Sequence, residues 1–137
     1  MNPMAALRQY QKVNTHAAME DASPHQLIQM LMAGGLNRIA QARGKMERGE
    51  LADKGVLIGK AVAILNGLRE GLNFQKGGTI AQNYARLYDY MTRRLVEANR
   101  SNDVGILDEV SHLLGDLKEG WDRIDPQVAA EALAKAQ

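Results

Sequence analysis

The sequence predicts an all-α fold: an antiparallel up-and-down four-helix bundle with a short N-terminal arm and an Ala-rich C-terminal tail. Three observations carry that expectation. Apolar residues return every three or four positions through four long segments, the period of a helix with one buried face. Capping and turn residues fall between those segments. No strand-length alternation interrupts them between Ser23 and Ile124. Short links between long helices favour antiparallel neighbours, so the expected parts are an arm (1–22), a bundle (23–125) and a tail (126–137).

Residues 1–22 commit least. Met4, Leu7, Tyr10 and Val13 recur every three positions, enough for a weak amphipathic turn or two but short for independent helicity. Two readings stand: a frayed terminus, or an arm whose Tyr10 docks in an apolar groove. Ser23-Pro24-His25-Gln26 is a helix start, with Ser as cap, Pro at the first helical position and Gln26 closing a capping box. The first helix runs to about Arg48 on a seam of Ile28, Leu31, Gly35, Ile39, Ala42 and Met46. Gly34-Gly35 in its middle is costly, and permits a kink or the close approach of another backbone.

A second helix is expected from about Leu51 to Phe74, with Ile58, Ala61, Leu65, Leu68 and Leu72 as its seam, and Gln75-Lys76-Gly77-Gly78 as a turn. The third, which organises the rest, has Thr79 as cap with Gln82 three residues on. Its stripe is Ile80, Tyr84, Leu87, Met91, Leu95 and Ala98, and Arg86, Asp89, Arg93 and Glu97 form a wet back. Ser101-Asn102-Asp103 breaks it and caps the fourth. There Leu107, Val110, Leu114, Leu117, Trp121 and Ile124 give the tightest heptad pattern in the chain. Asp125-Pro126 ends it. The Ala-rich residues 127–137 read as a short, poorly anchored helix or a mobile end.

Composition narrows the function. A chain of 137 residues with 24% charged and 45% hydrophobic residues is an ordinary globular domain. Its formal charge of +1 gives no general attraction to nucleic acid or acidic membrane. Cysteine is absent, which removes disulfides and thiol chemistry. No apolar run approaches the ~18 residues of a membrane span, and the N-terminus lacks a signal-peptide pattern. A cytoplasmic protein is expected, with no membrane insertion and no nucleic-acid partner. Thirteen Gly and seven Met imply a loosely built bundle, since an interior Gly costs about 0.5–1 kcal/mol against Ala.

No catalytic, cofactor or metal residues are assigned. Glu109-x-x-His112 is one half of a bundle metal motif without its second half. His112 is also the one helical candidate for a phosphorelay, but Leu113 and Leu114 follow where small and basic neighbours would be needed. A phosphorelay or metal-binding bundle using His112 is therefore the alternative reading, and a homodimer paired through apolar edges is a third. Gly34-Gly35 and Gly77-Gly78 lack the Lys and the preceding strand of a phosphate loop. What remains is surplus apolar surface. Leu27, Met30, Leu36, Leu57, Ile64, Tyr90 and Val96 lie outside the seams. Edge packing accounts for part of them; a groove for a partner's amphipathic segments accounts for the rest, with Met and Gly letting it re-pack.

The motifs also carry a family resemblance. Ala22-Ser23-Pro24-His25-Gln26-Leu27-Ile28, Met30-Leu31 and Gly35 resemble the first-helix signature of the FliS family of flagellin-specific export chaperones. Lys76-Gly77-Gly78, Ile80-Ala81, Asn83, Leu87-Tyr88-Asp89-Tyr90-Met91, Arg93-Arg94-Leu95, Ala98-Asn99, Asn102-Asp103 and Trp121 continue it in order and spacing, from about Tyr10 to Pro126. The resemblance implies a non-enzymatic cytoplasmic chaperone that holds the C-terminal region of newly made flagellin. It implies that binding prevents premature polymerisation and delivers flagellin to the type III export gate, FlhA. On this chain the off-seam residues Leu27, Met30, Leu57, Ile64 and Tyr90 are the expected cargo contacts. Leu7 and Tyr10 would form an arm that caps the groove without cargo. Met32, Ala33, Thr79 and Tyr84 depart from the family's usual residues, which shifts the shape of the groove.

Overall fold

The computed structural model describes residues 22–133. Five helices make up its regular structure: α1 (Pro24–Glu47), α2 (Leu51–Glu70), α3 (Phe74–Ser101), α4 (Val104–Arg123) and α5 (Pro126–Ala132). Among the described residues the only extended pairing is an isolated antiparallel bridge between Leu72 and Leu133. The four long helices pack together, each against its chain neighbour and α1 also against α4, with α1 and α2 in the most extensive contact.

The predicted start of α1 holds. Ser23 Oγ accepts from the Gln26 amide at 3.2 Å and Gln26 Oε1 accepts from the Ser23 amide at 2.8 Å, the reciprocal pair of a capping box. Its seam buries Ile28, Leu31, Ile39, Ala42 and Met46 as expected, and adds Met32. Gly35 allows the close approach its sequence position suggested: a Cβ there would lie 3.2 Å from Leu114 Cδ2 of α4.

The α2–α3 joint differs from the sequence expectation. α2 stops at Glu70, four residues early, and Phe74–Gly77 form the first turn of α3. The cause is Asn73. Its side chain accepts from the amides of Gln75 and Lys76 at 3.1 and 3.0 Å, satisfying orphan helix donors a turn before Thr79 could. Gly78, at φ +51° and ψ −127°, then breaks the helical backbone, so α3 is a short first turn and a long second piece joined at a kink, a conformation glycine adopts freely.

The stripe of α3 also turns. Ala81, Ala85 and Tyr88 are buried where Ile80, Tyr84 and Leu87 were expected, and the two readings converge only at Met91, Leu95 and Ala98. Ala81 and Ala85 join Tyr88 in the core, while Tyr84 and Leu87 pack against it half-buried. α4 follows its heptad, with Asp103 Oδ1 accepting from Gly105 at 2.8 Å as the cap.

Two contacts close the end where α1 begins and α4 finishes. His25 Nε2 donates to the Trp121 carbonyl at 2.6 Å, and Trp121 Nε1 donates to the His25 carbonyl at 3.0 Å. The rings stack 5.2 Å apart, and Tyr84 meets Trp121 edge-on at 5.6 Å. Further along, Arg43 Nε donates to Asp108 at 2.6 Å. α5 is firmly seated, contrary to the poor anchoring expected of it. Ala129, Ala132 and Leu133 are buried, and the Asn73 amide donates to the Ala132 carbonyl at 2.8 Å.

Candidate functional site

α2 presents two unlike faces. One carries Ile58, Ala61, Leu65 and Leu68 into the core. Another carries Gly59, Val62, Ala63, Asn66, Arg69 and Glu70, and these residues line a cavity of about 380 Å³. Their spacing is helical, so they stack as one strip along α2. The strip is hollow because Gly59 and Ala63, one turn apart, supply almost no side chain. Among the described residues a Cβ at Gly59 would meet nothing within 4 Å.

Polar contacts on either side place this strip toward α3. Arg69 Nε donates to Asp89 Oδ1 of α3 at 2.7 Å. Near the other end Lys54, 4% exposed, donates from Nζ to the Asn99 carbonyl at 2.9 Å, satisfying an orphan acceptor in the last turn of α3. These bonds pin the two helices together at the ends of the strip. Val62 and Ala63 offer an apolar wall and Asn66 an amide with both donor and acceptor capacity. Such a surface accepts the aliphatic side chains and backbone of a peptide. It holds no nucleophile and no paired acid and base.

The sequence-predicted residues fall in three places. Leu57 and Ile64 are half-buried against the core, and Ile64 Cγ2 would lie 3.7 Å from a Cβ on Gly35, so it faces α1. Leu27 and Met30 are half-buried in the first two turns of α1. Tyr90 stands away from all four, on the α3–α4 seam. Its hydroxyl donates to Glu109 of α4, and Arg94 Nε donates to the other oxygen of that carboxylate at 2.8 Å. The Tyr90 and Arg94 hydrogen bonds hold the Glu109 carboxyl below its usual range. Leu7 and Tyr10 lie outside the described residues. Val96, another off-seam residue, is exposed.

Gly59, Val62, Ala63 and Asn66 escaped the sequence reading. Their signal was the Gly59-x-x-x-Ala63 spacing, which registered only as looseness of the bundle. His112 is exposed, with Nε2 3.4 Å from Asp116 Oδ2, and the Glu109 that would complete its motif is occupied by Tyr90 and Arg94. Among the described residues no three His, Cys, Asp or Glu side chains converge as metal donors, and no helix is long and apolar enough to cross a membrane.

With this geometry in hand, comparison with known proteins is informative. The family model described as flagellar protein FliS matches residues 6–128. The flagellar secretion chaperone FliSB of Pseudomonas aeruginosa is 58% identical over 124 residues, covering 90% of this chain and 98% of that one. FliS of Salmonella typhimurium is 42% identical over 130 residues (94% and 96% of the two chains), and FliS of Vibrio cholerae 39% over 122 (89% and 90%). The match spans most of the chain, and the protein belongs to the FliS family of flagellar secretion chaperones, which are not enzymes.

Proposed function

We propose that this chaperone binds the C-terminal region of newly made flagellin in the cytosol, keeps it from polymerising, and delivers it to the export gate protein FlhA. The observation that supports the reading is the hollow strip of α2, a small apolar floor of Gly59, Val62 and Ala63 edged by Asn66, Arg69 and Glu70, on a helix whose other face is already committed to the core. A flagellin end that is disordered as a monomer loses conformational entropy on docking, so binding needs substantial apolar burial. At about 25 cal/mol per Å², burying a few hundred Å² of apolar surface supplies several kcal/mol before those costs, an area larger than the trough alone, so the guest must also cover neighbouring parts of the bundle.

Leu27, Met30, Leu57, Ile64 and Tyr90 are the proposed further cargo contacts, reached by a guest that passes over more than one seam. Leu7 and Tyr10, in an arm of residues 1–22, are proposed to cap the groove in the absence of cargo. The bundle they serve (23–125) is read as antiparallel and up-and-down, which the pairing of His25 with Trp121 and of Arg43 with Asp108 supports. Residues 126–137 follow as the tail.

The test is calorimetry with the isolated C-terminal region of flagellin. Ala63→Glu puts a charged side chain in the trough without touching the core, and should weaken binding at least tenfold, about 1.4 kcal/mol, with unchanged cooperative unfolding. Wild-type affinity in that variant would overturn the trough as the binding surface.

A further inference from the structure

α2 carries little information about which of its sides belongs inside. Of its 20 residues only Asp53, Lys54, Lys60, Arg69 and Glu70 are charged, and apolar residues occur all round it. Ile58, Ala61, Leu65 and Leu68 are buried, Leu57, Val62 and Ile64 pack half-buried beside them, and Val56 is 59% exposed. A helix that is apolar on every side has no strong preference for one rotation about its own axis. Polar bonds then decide which side turns outward.

Lys54 makes such a bond from the core face. It lies one turn before Ile58, on the repeat that continues through Ala61, Leu65 and Leu68, and it is itself buried. An ammonium on such a seam is costly unless bonded, and resembles the lone polar residue that sets register in a coiled coil. Its acceptor, the Asn99 carbonyl at 2.9 Å, belongs to the last turn of α3, which ends at Ser101. Helix carbonyls lack a partner within their own helix only in that last turn, where the helix dipole also favours a cation. Turning α2 so that Gly59 and Val62 faced inward would carry Lys54 away from this acceptor. It would also bring Leu57 and Ile64, on the other side of the seam, outward.

We propose that Lys54 is a positioning residue for the trough: its bond to the end of α3 fixes the rotation of α2 and so holds the Gly59–Asn66 strip open to a guest. That the guest is flagellin rests on the reading above. Lys54 touches no guest itself. It acts through the fraction of molecules whose strip faces outward, and affinity falls in proportion to that fraction.

The chain has no cysteine of its own, so single cysteines introduced into the full chain report which side of α2 is outward. Gly59→Cys reports the strip, and Leu57→Cys the other side of the seam. Adding Lys54→Met should lower the ratio of their iodoacetamide alkylation rates, Gly59→Cys over Leu57→Cys, by about fivefold. The urea midpoint should stay level or rise, because an apolar side chain of similar length replaces a buried charge. Lys54→Met without cysteine should bind the flagellin C-terminal region about fivefold more weakly than wild type. An unchanged ratio, or both rates rising together as in a general loosening, would overturn the role given to Lys54. A fallen ratio with wild-type affinity would overturn the strip as the cargo surface instead. Absence of binding by the wild type would overturn the flagellin reading, and the alkylation ratio would still decide for or against Lys54.

Discussion

The α1–α4 seam and the α2–α3 seam are built from similar helices and end up opposite in character. Along α1–α4, large side chains meet a glycine that makes room for them: Leu114 lies against Gly35, and Trp121 is stacked on His25 with both main chains bonded to the partner's ring. Along α2–α3, polar bonds from Lys54 and Arg69 fix the two helices, while Gly59 and Ala63 leave the adjoining strip of α2 unfilled. Glycine thus serves two ends. Where a neighbour's side chain fills its space it tightens the bundle; where none does, it leaves room for a guest.

The harshest way to break the sealed seam is Trp121→Ala. Trp121 is 1% exposed, and truncating a large buried aromatic costs about 3–5 kcal/mol. Urea unfolding measures it. A loss under about 1 kcal/mol, within reach of a single surface contact, would mean that the paired rings do not hold α1 to α4.

The two glycines sharpen the contrast. Gly35→Val drives branched carbons toward Leu114 Cδ2, already 3.2 Å from where its Cβ would sit, and overpacking of this kind costs about 1–3 kcal/mol. Gly59→Ala adds one methyl where, among the described residues, nothing lies within 4 Å, and should stabilise the fold by about 0.5–1 kcal/mol through helix propensity alone. Opposite signs in thermal melts are expected. If both destabilise, the strip around Gly59 is packed and the distinction between the seams fails. Flagellin affinity in Gly59→Ala should fall less than in Ala63→Glu, since a methyl narrows the trough and a carboxylate occupies it.

Much of this contrast was readable in the chain, and the unread part has a physical cause. Ser23-Pro24-x-Gln26 specifies its own capping bonds locally, and the seam of α1 needs only the helical period. The joint before α3 could not be settled that way. Asn73 and Thr79 are both competent caps, Asn73 caps the first turn while Gly78 kinks the helix just before Thr79, and the Asn73 amide is bonded from far along the sequence by Ala132. The turned stripe of α3 has a related cause. Periodicity weights large apolar residues, whereas close packing admitted Ala81 and Ala85 and sent Ile80 and Leu87 to the edge. The trough was hidden because a hollow exists only on the folded surface, and in the sequence Gly59 and Ala63 show only that α2 supplies no filling. Leu57 and Ile64 stood out by their size, and size is what lets each pack against the core.

The smallest expected effect concerns acid, and it separates α4 from α2. Glu109 is held below its usual range by the Tyr90 and Arg94 hydrogen bonds, and Asp108 by the Arg43 hydrogen bond. Both carboxylates belong to α4, and each ties it to a neighbour. A carboxyl whose folded value is depressed binds fewer protons folded than unfolded, so its stabilisation is complete above the unfolded value and drains away as pH falls through the folded one. For Glu109 that loss begins below about 4.5. These pairs are partly solvated, with Arg94 and Glu109 side chains 34% and 35% exposed, so the effect is smaller than any above. Glu109→Gln should lower the urea midpoint slightly at pH 7, and the gap from wild type should narrow as pH falls toward 3. A gap that stays constant across that range would mean the Glu109 contacts owe nothing to its charge, and that α4 is held to α3 by packing alone.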